Sequence, residues 1–212
     1  MYCARFRQSA RSVKWLVGLL LSVGLGLWGC TEPAPTPSVA EDRIGPVTAY
    51  VFAPDAQDYL GAPQPYALDP AMSPHEALTR LADHLSRTYF NRDADSTPPI
   101  HFEVLKVHRL DLPHRAYRLA VVNMVDPQLE ARQVFFQGSA GGQTTFYMLT
   151  ATLLQPQMEP PLADGLILLY NGRAFPEIDH VPFRGIVTPD AVRHVVLKAL
   201  YRHRHEDPAA TG

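Results

Sequence analysis

Two neighbouring runs decide the fold. The first, at residues 138–156, reads Gly-Ser-Ala-Gly-Gly-Gln-Thr-Thr-Phe-Tyr-Met-Leu-Thr-Ala-Thr-Leu-Leu-Gln-Pro. The second follows a Pro-rich break and reads Gly-Leu-Ile-Leu-Leu-Tyr-Asn-Gly-Arg-Ala-Phe at residues 165–175. The first run predicts a glycine-rich loop leading into an apolar helix. That helix should end by Gln155, because a residue before proline is biased away from helical geometry. The apolar residues 166–170 predict a buried strand, and Asn171-Gly172 predicts a tight hairpin turn. The rest of the domain is expected to pack against this unit.

Further elements are predicted on both sides of this unit. A Ser-Pro-x-Glu start with Ser73 as cap predicts a helix that ends near Phe90. The other predicted elements are strands at 47–53, 100–107 and 116–124 and a last helix at 188–204. Residues 55–70 are predicted to form a loop, with room for a short extended piece near 66–68. In the second strand the apolar alternation shifts by one residue at Leu105, which either a β-bulge or a partner covering the second face would explain. The order β-α-β-β-α-β-β-α predicts a single two-layer α+β domain with two to three helices.

The first thirty residues are typical of a secretory signal. Four basic residues, Arg5 to Lys14, precede a run at 15–29 that is almost wholly apolar and too short for an ordinary membrane span. The run ends in Leu-Trp-Gly-Cys at 27–30, which resembles a bacterial lipobox. The resemblance implies cleavage after Gly29 and lipid attachment at Cys30. An uncleaved membrane anchor and soluble secretion are the alternatives.

The expected mature chain begins at Cys30 and divides into four parts. Residues 30–46 carry the lipid and a Pro-rich tether, 47–187 form the domain, 188–204 form the last helix, and 205–212 form a disordered tail. Cleavage removes Cys3 and lipid occupies Cys30, so no disulfide can form. Cleavage also removes four of the 19 basic residues and none of the 21 acidic ones, leaving a formal charge of −6. This balance argues against nucleic-acid binding, which needs a basic surface.

Several motifs together resemble the GerMN domain family of spore germination and sporulation lipoproteins. The run Met-Leu-Thr-Ala-Thr-Leu-Leu-Gln at 148–155 is similar to the family's "TLtQ" helix end, and the family then has a strand closing on an Asn-Gly turn, as at Asn171-Gly172. The resemblance covers about residues 47–187. It implies a non-enzymatic envelope module used in assembly, with no catalytic residues to carry over.

Other candidate sites are weaker. Glu177, Asp179 and His180 follow the hairpin and offer acid/base or cation-holding groups, but no nucleophile accompanies them. The glycines at 138–142 precede a helix, so an anion site at its N-terminus is a second hypothesis. The nine histidines, of which three are His194, His203 and His205, have no ligand spacing, so neither a metal nor another cofactor is predicted.

The function expected from the sequence is therefore that of a lipid-anchored interaction module on the extracytoplasmic side of a bacterial membrane. Its partner would be another envelope protein, a second copy or peptidoglycan. Strand addition at an exposed edge around residues 105–107 is the expected mode. The alternative is an envelope hydrolase or metal-dependent enzyme using Glu177, Asp179 and His180, and an apolar-ligand carrier is third. Inner and outer membrane both stay open.

Overall fold

The computed structural model describes residues 43–91, 100–178 and 181–206. Its elements are β1 (Ala49–Asp55), β2 (Tyr59–Tyr66), α1 (Pro74–Leu85), a π-helical turn (Ser86–Phe90), β3 (His101–Asp111), β4 (Ala116–Val125), α2 (Ala131–Val134), α3 (Gly138–Leu154), β5 (Gly165–Tyr170), β6 (Arg173–Ala174) and α4 (Pro189–Glu206). The strands form a β1-β2 sheet and a β3-β4-β5-β6 sheet. The predicted single α+β domain is confirmed.

The four-stranded sheet is mixed. Strands β3 and β4 form an antiparallel hairpin, β5 joins β4 in parallel, and β6 returns antiparallel beside β5. The register of β3 shifts between Val104 and Lys106, so the predicted bulge at Leu105 is confirmed. Asn171 and Gly172 have φ of 49° and 73° at the β5–β6 turn, the left-handed geometry that this hairpin turn requires.

Helices α1 and α3 supply much of the core. The predicted capping box begins α1: the Glu76 backbone N–H donates to Ser73 Oγ at 3.3 Å, and the Ser73 backbone N–H donates to Glu76 Oε2 at 2.8 Å. Five fully buried residues of α1 follow at helical spacing, namely Ala77, Leu78, Leu81, Ala82 and Leu85. They join one apolar cluster with residues of α3, β3, β4 and β5.

The glycine-rich loop predicted at 138–142 is wrong, because these residues are the first turn of α3. Three glycines do not prevent a helix here, since burial of its later residues outweighs their weak propensity. The helix ends at Gln155 as predicted, with φ of 50°. The Gln155 side chain accepts from Tyr50 N at 2.8 Å and donates to Tyr50 O at 2.7 Å, so it bonds the free edge of β1 as a strand would.

The loop predicted at 55–70 is also wrong in part, because it contains β2. Pro63 and Pro65 made this segment look irregular, but proline is tolerated on an edge strand, and β2 is hydrogen-bonded on one side only, to β1. Strand β1 does not end at Pro54. It continues to Asp55 after a register shift between Phe52 and Pro54.

The last helix and the chain before β1 pack on the domain. Helix α4 contacts β2 and α3, and Lys198 and Arg202 both bond the Asp58 carboxylate, Lys198 at 2.6 Å. The helix includes residues 205 and 206, which were expected to be disordered. The expected tether is also too long, because Ile44 N donates to Met72 O at 3.1 Å.

Candidate interaction surface

The four-stranded sheet is buried on one face only. Along β4, Ala120, Val122 and Met124 are fully buried, and Leu166 and Leu168 of β5 continue this face. Among the alternate side chains Asn123 is buried, whereas five apolar ones keep part of their surface exposed and do not pack against the core. We call these the open face: Leu119, Val121, Val125, Ile167 and Leu169.

The open face is continuous from β4 to β5. Val121 lies opposite Ile167 in the parallel register, and Gly165 lies opposite Leu119. A Cβ on Gly165 would lie 3.0 Å from Leu119 Cδ1 and 2.8 Å from Ile186 Cγ2. The missing side chain at Gly165 therefore lets Leu119 and Ile186 approach each other, and Ile186, itself 57% exposed, extends the apolar surface.

Strand β3 borders the open face with charged groups. Glu103 lies opposite Asn123 and Lys106 lies opposite Val121, so both signs occur along this rim. The edge predicted for strand addition is only partly accessible. Ser86 Oγ accepts from Phe102 N at 3.1 Å, and His75 Nε2 lies 3.0 Å from Val104 O, so α1 and the turn after it occupy the first half of that edge. Leu105, at the bulge, is 50% exposed.

A buried polar network lies at the end of the sheet where β4 and β5 both finish. Asp126, which is 1% exposed, accepts from Ala131 N at 2.7 Å and from Tyr170 Oη at 2.5 Å. Asn171 bonds the backbone N–H and C=O of Asp126, both at 2.8 Å. Asn123 accepts from Gly172 N at 2.7 Å.

Sequence reasoning missed this network. The available signals were Asn123 inside an otherwise apolar strand and an aspartate directly after that strand. Burial and the bond to Asp126 raise the pKa of the Tyr170 phenol, while the charge of Arg132 opposes the shift.

Two grooves lie beside the network and share Arg132. One, of about 490 Å³, has Tyr170, Arg173 and the apolar Leu129 and Ala174 in its lining. The other, of about 640 Å³, is lined by residues that include Gly138, Ser139 and Glu177. The N-terminus of α3 thus faces a groove, as the anion hypothesis requires, but no side chain caps it and nothing further there identifies a ligand.

The acid/base hypothesis receives no support from its one described residue. The Glu177 side chain is 79% exposed, and Arg184 NH1 donates to its Oε2 at 3.0 Å. Asp179 and His180 lie outside the described residues.

The C-terminal histidines are not brought together. His194 packs edge-on against Tyr147, with ring centroids 6.2 Å apart, and His205 packs against Tyr201 at 4.3 Å. Within the described ranges, no group of three or more potential ligands lies close enough to hold a metal ion.

The lipobox residues Gly29 and Cys30 lie outside the described residues. In the part of the chain that the structure describes, no helix has the length and apolar character needed to cross a bilayer.

No protein-family model, curated protein or solved structure matches this chain. The GerMN resemblance accordingly stays a prediction from the sequence.

Proposed function

We propose that this chain is a lipid-anchored bacterial envelope protein whose domain is a non-enzymatic interaction module. The lipobox-like run that ends at Cys30 supports the anchor. The open face supports the interaction, and it is the single observation that carries the proposal.

A group of partly exposed apolar side chains on one sheet face is what a binding surface offers. A sheet face that meets water commonly alternates apolar and polar side chains, whereas the solvent side of β4 and β5 presents Leu119, Val121, Ile167 and Leu169, with the buried amide of Asn123 among them. Contiguous exposed apolar patches on soluble domains mark interaction sites. Covering such side chains favours association through the hydrophobic effect, against which the entropy cost of binding is set.

The chemistry of the open face favours a protein partner over peptidoglycan. Small ligands and sugars bind in concave sites with convergent polar groups. None of the grooves described above is lined by an open-face residue. The partner we propose presents an apolar patch flanked by charges that complement Glu103 and Lys106 on the β3 rim.

The tether places this partner near the membrane. Residues 31–42 separate the anchor from the described domain. A chain extends at most about 3.6 Å per residue, so twelve residues keep the domain within about 43 Å of the anchor. The partner is therefore another envelope protein exposed on the same surface.

Site-specific photo-crosslinking in living cells tests the interaction. A photoreactive amino acid replaces Val121 or Ile167 on the open face, and Leu197, an exposed residue of α4, serves as the matched control. Both open-face positions should give one discrete product, identified by mass spectrometry, that the control position lacks. A product with the mass of two copies would identify self-association as the contact. Equal patterns at all three positions would overturn the role of the open face.

Metabolic labelling with palmitate tests the anchor independently. The wild type should incorporate label, and Cys30→Ala should not. Equal labelling of both forms would refute attachment at Cys30 while leaving the crosslinking result intact. If a Glu177→Gln variant lost the protein's function in the cell while its fold stayed intact, the enzyme alternative would be favoured instead.

A further inference from the structure

The groove of about 490 Å³ beside the Asn171-Gly172 turn has the character of a binding site for an anion. Its apolar lining comes from Leu129, Ala174 and Pro176, and its charged lining comes from Arg132 and Arg173. Among the described residues no acidic side chain contributes to the lining, although the chain as a whole carries a formal charge of −2.

Both arginines are available to a ligand. Several guanidinium groups among the described residues have carboxylate partners, such as Arg115 with Asp164 at 3.3 Å and Arg193 with Asp190 at 3.3 Å. Within the described residues neither Arg132 nor Arg173 forms an ion pair or a side-chain hydrogen bond. Both residues are exposed at the groove. Two unpaired cations beside one apolar groove make the local electrostatic potential more positive, which favours the binding of an anion.

The same buried network holds the backbones of both arginines. Arg132 follows Ala131, whose N–H donates to Asp126 at 2.7 Å. Arg173 follows Gly172, whose N–H donates to Asn123 Oδ1 at 2.7 Å. These bonds fix the backbone next to both arginines to buried residues at the same end of β4. Rigid supporting elements of this kind hold the side chains of a site in a defined geometry.

Tyr170 limits which groups in the groove can donate a hydrogen bond to a ligand. The Tyr170 hydroxyl donates its proton to Asp126 Oδ2 at 2.5 Å. Towards the groove, the same hydroxyl can therefore only accept a hydrogen bond. An anion is therefore recognised by guanidinium donors, which match the planar oxygens of a carboxylate or the oxygens of a phosphate. The ring of Tyr170 and Pro176 would contact an apolar part of the same molecule.

We propose that Arg132 and Arg173 together bind a carboxylate or phosphate group carried on a partly apolar molecule. This site is distinct from the open face, because it uses none of the five open-face residues. Failure of one proposal therefore leaves the other standing.

An NMR titration of the folded domain tests the site. The signals of the arginine Nε–H groups are followed while sodium phosphate or N-acetylalanine is added, at constant ionic strength. Arg132 and Arg173 should shift together and saturate. The probe with the lower Kd identifies phosphate or carboxylate as the preferred group.

Variants make the test specific. Arg132→Ala and Arg173→Ala should each weaken binding at least about tenfold, because each removes hydrogen bonds to a charged group. Arg132→Lys should retain part of the affinity, since it keeps the charge and loses the two-pronged donor. Arg80→Ala, a change at an exposed residue of α1, is the matched control and should leave the titration unchanged.

Unchanged thermal unfolding of all four variants would show that each one folds. Shifts that do not saturate, or equal weakening by Arg80→Ala, would mean that the added anions only screen the surface. Either result would overturn the proposal.

Discussion

At the scale of single residues, two buried polar side chains form hydrogen bonds with backbone groups that have no backbone partner. Gln155 bonds both polar groups of Tyr50 on the edge of β1 and is itself 0% exposed. Asp126 accepts from a helix start and from the Tyr170 phenol. A buried polar group without its partner destabilises a fold by more than the bond itself contributes, so both residues should tolerate apolar substitution poorly.

Gln155→Leu should lower the free energy of unfolding by about 2–4 kcal/mol, because it leaves the N–H and C=O of Tyr50 without partners. Urea denaturation measures the change. Gln64→Leu is the control, since Gln64 is exposed on β2 and its replacement should shift stability by less than about 0.5 kcal/mol. Equal effects at the two positions would show that the bonds to β1 are unimportant.

Tyr170→Phe should cost about 1–2 kcal/mol near neutral pH, because Asp126 loses a donor. Burial raises the pKa of Tyr170 above its unfolded value near 10, so above about pH 10 the unfolded chain loses this proton while the folded chain keeps it. The stability of the wild type relative to Tyr170→Phe should therefore shrink as pH rises past about 10. Denaturation curves from pH 7 upward check this, and a pH-independent difference would contradict it.

At the scale of elements, the start of α3 combines an exposed glycine with a buried one. Gly141 is exposed, and the nearest atom to an added Cβ is Phe135 O at 3.9 Å. Gly142 is buried, and its added Cβ would lie 2.7 Å from Val181 Cγ2. The first glycine only weakens the helix, whereas the second lets the segment after β6 pack closely on α3.

Gly141→Ala and Gly142→Ala should consequently have opposite effects. The first should raise the free energy of unfolding by about 0.5–1 kcal/mol, since alanine is the better helix former. The second should lower it by about 1–3 kcal/mol, because Val181 must shift. Thermal unfolding of the two variants provides the comparison. If both changes stabilised the protein, the close approach of Val181 would be refuted.

At the scale of the whole molecule, α4 closes the core although it comes last in the chain. It contacts β2 and α3, and Lys198 and Arg202 connect it to Asp58 between β1 and β2. Its buried apolar residues are Val192, Val195, Val196, Ala199 and Leu200. The domain that the sequence outlined at 47–187 therefore shares its core with the helix after it.

A chain ending at Val187 should lose cooperative unfolding. Each buried Val or Leu side chain of α4 contributes about 1.5–3 kcal/mol, and four of them equal much of the 5–15 kcal/mol of an ordinary domain. Circular dichroism during heating measures the transition. Leu197→Lys in the full chain is the control and should retain it, because Leu197 is exposed. A sharp transition in the shortened chain would show that α4 is dispensable.

The sequence by itself determined the features that depend on neighbouring residues. The capping box at Ser73, the stop of α3 at Gln155, the bulge at Leu105 and the Asn171-Gly172 turn were all predicted, because each is a local backbone preference. The α+β class followed from their order. The lipid anchor at Cys30 and the GerMN resemblance also come from sequence, and they stay predictions.

Only the tertiary structure decided which surfaces are covered. Val121 and Val122 are identical residues next to each other, yet α1 and α3 pack on the face of the sheet that carries Val122, and Val121 stays on the open face. Likewise, Pro63 forms part of a strand only because β1 pairs with it. Burial of a side chain and pairing of an edge depend on elements distant in the chain, which no local pattern encodes.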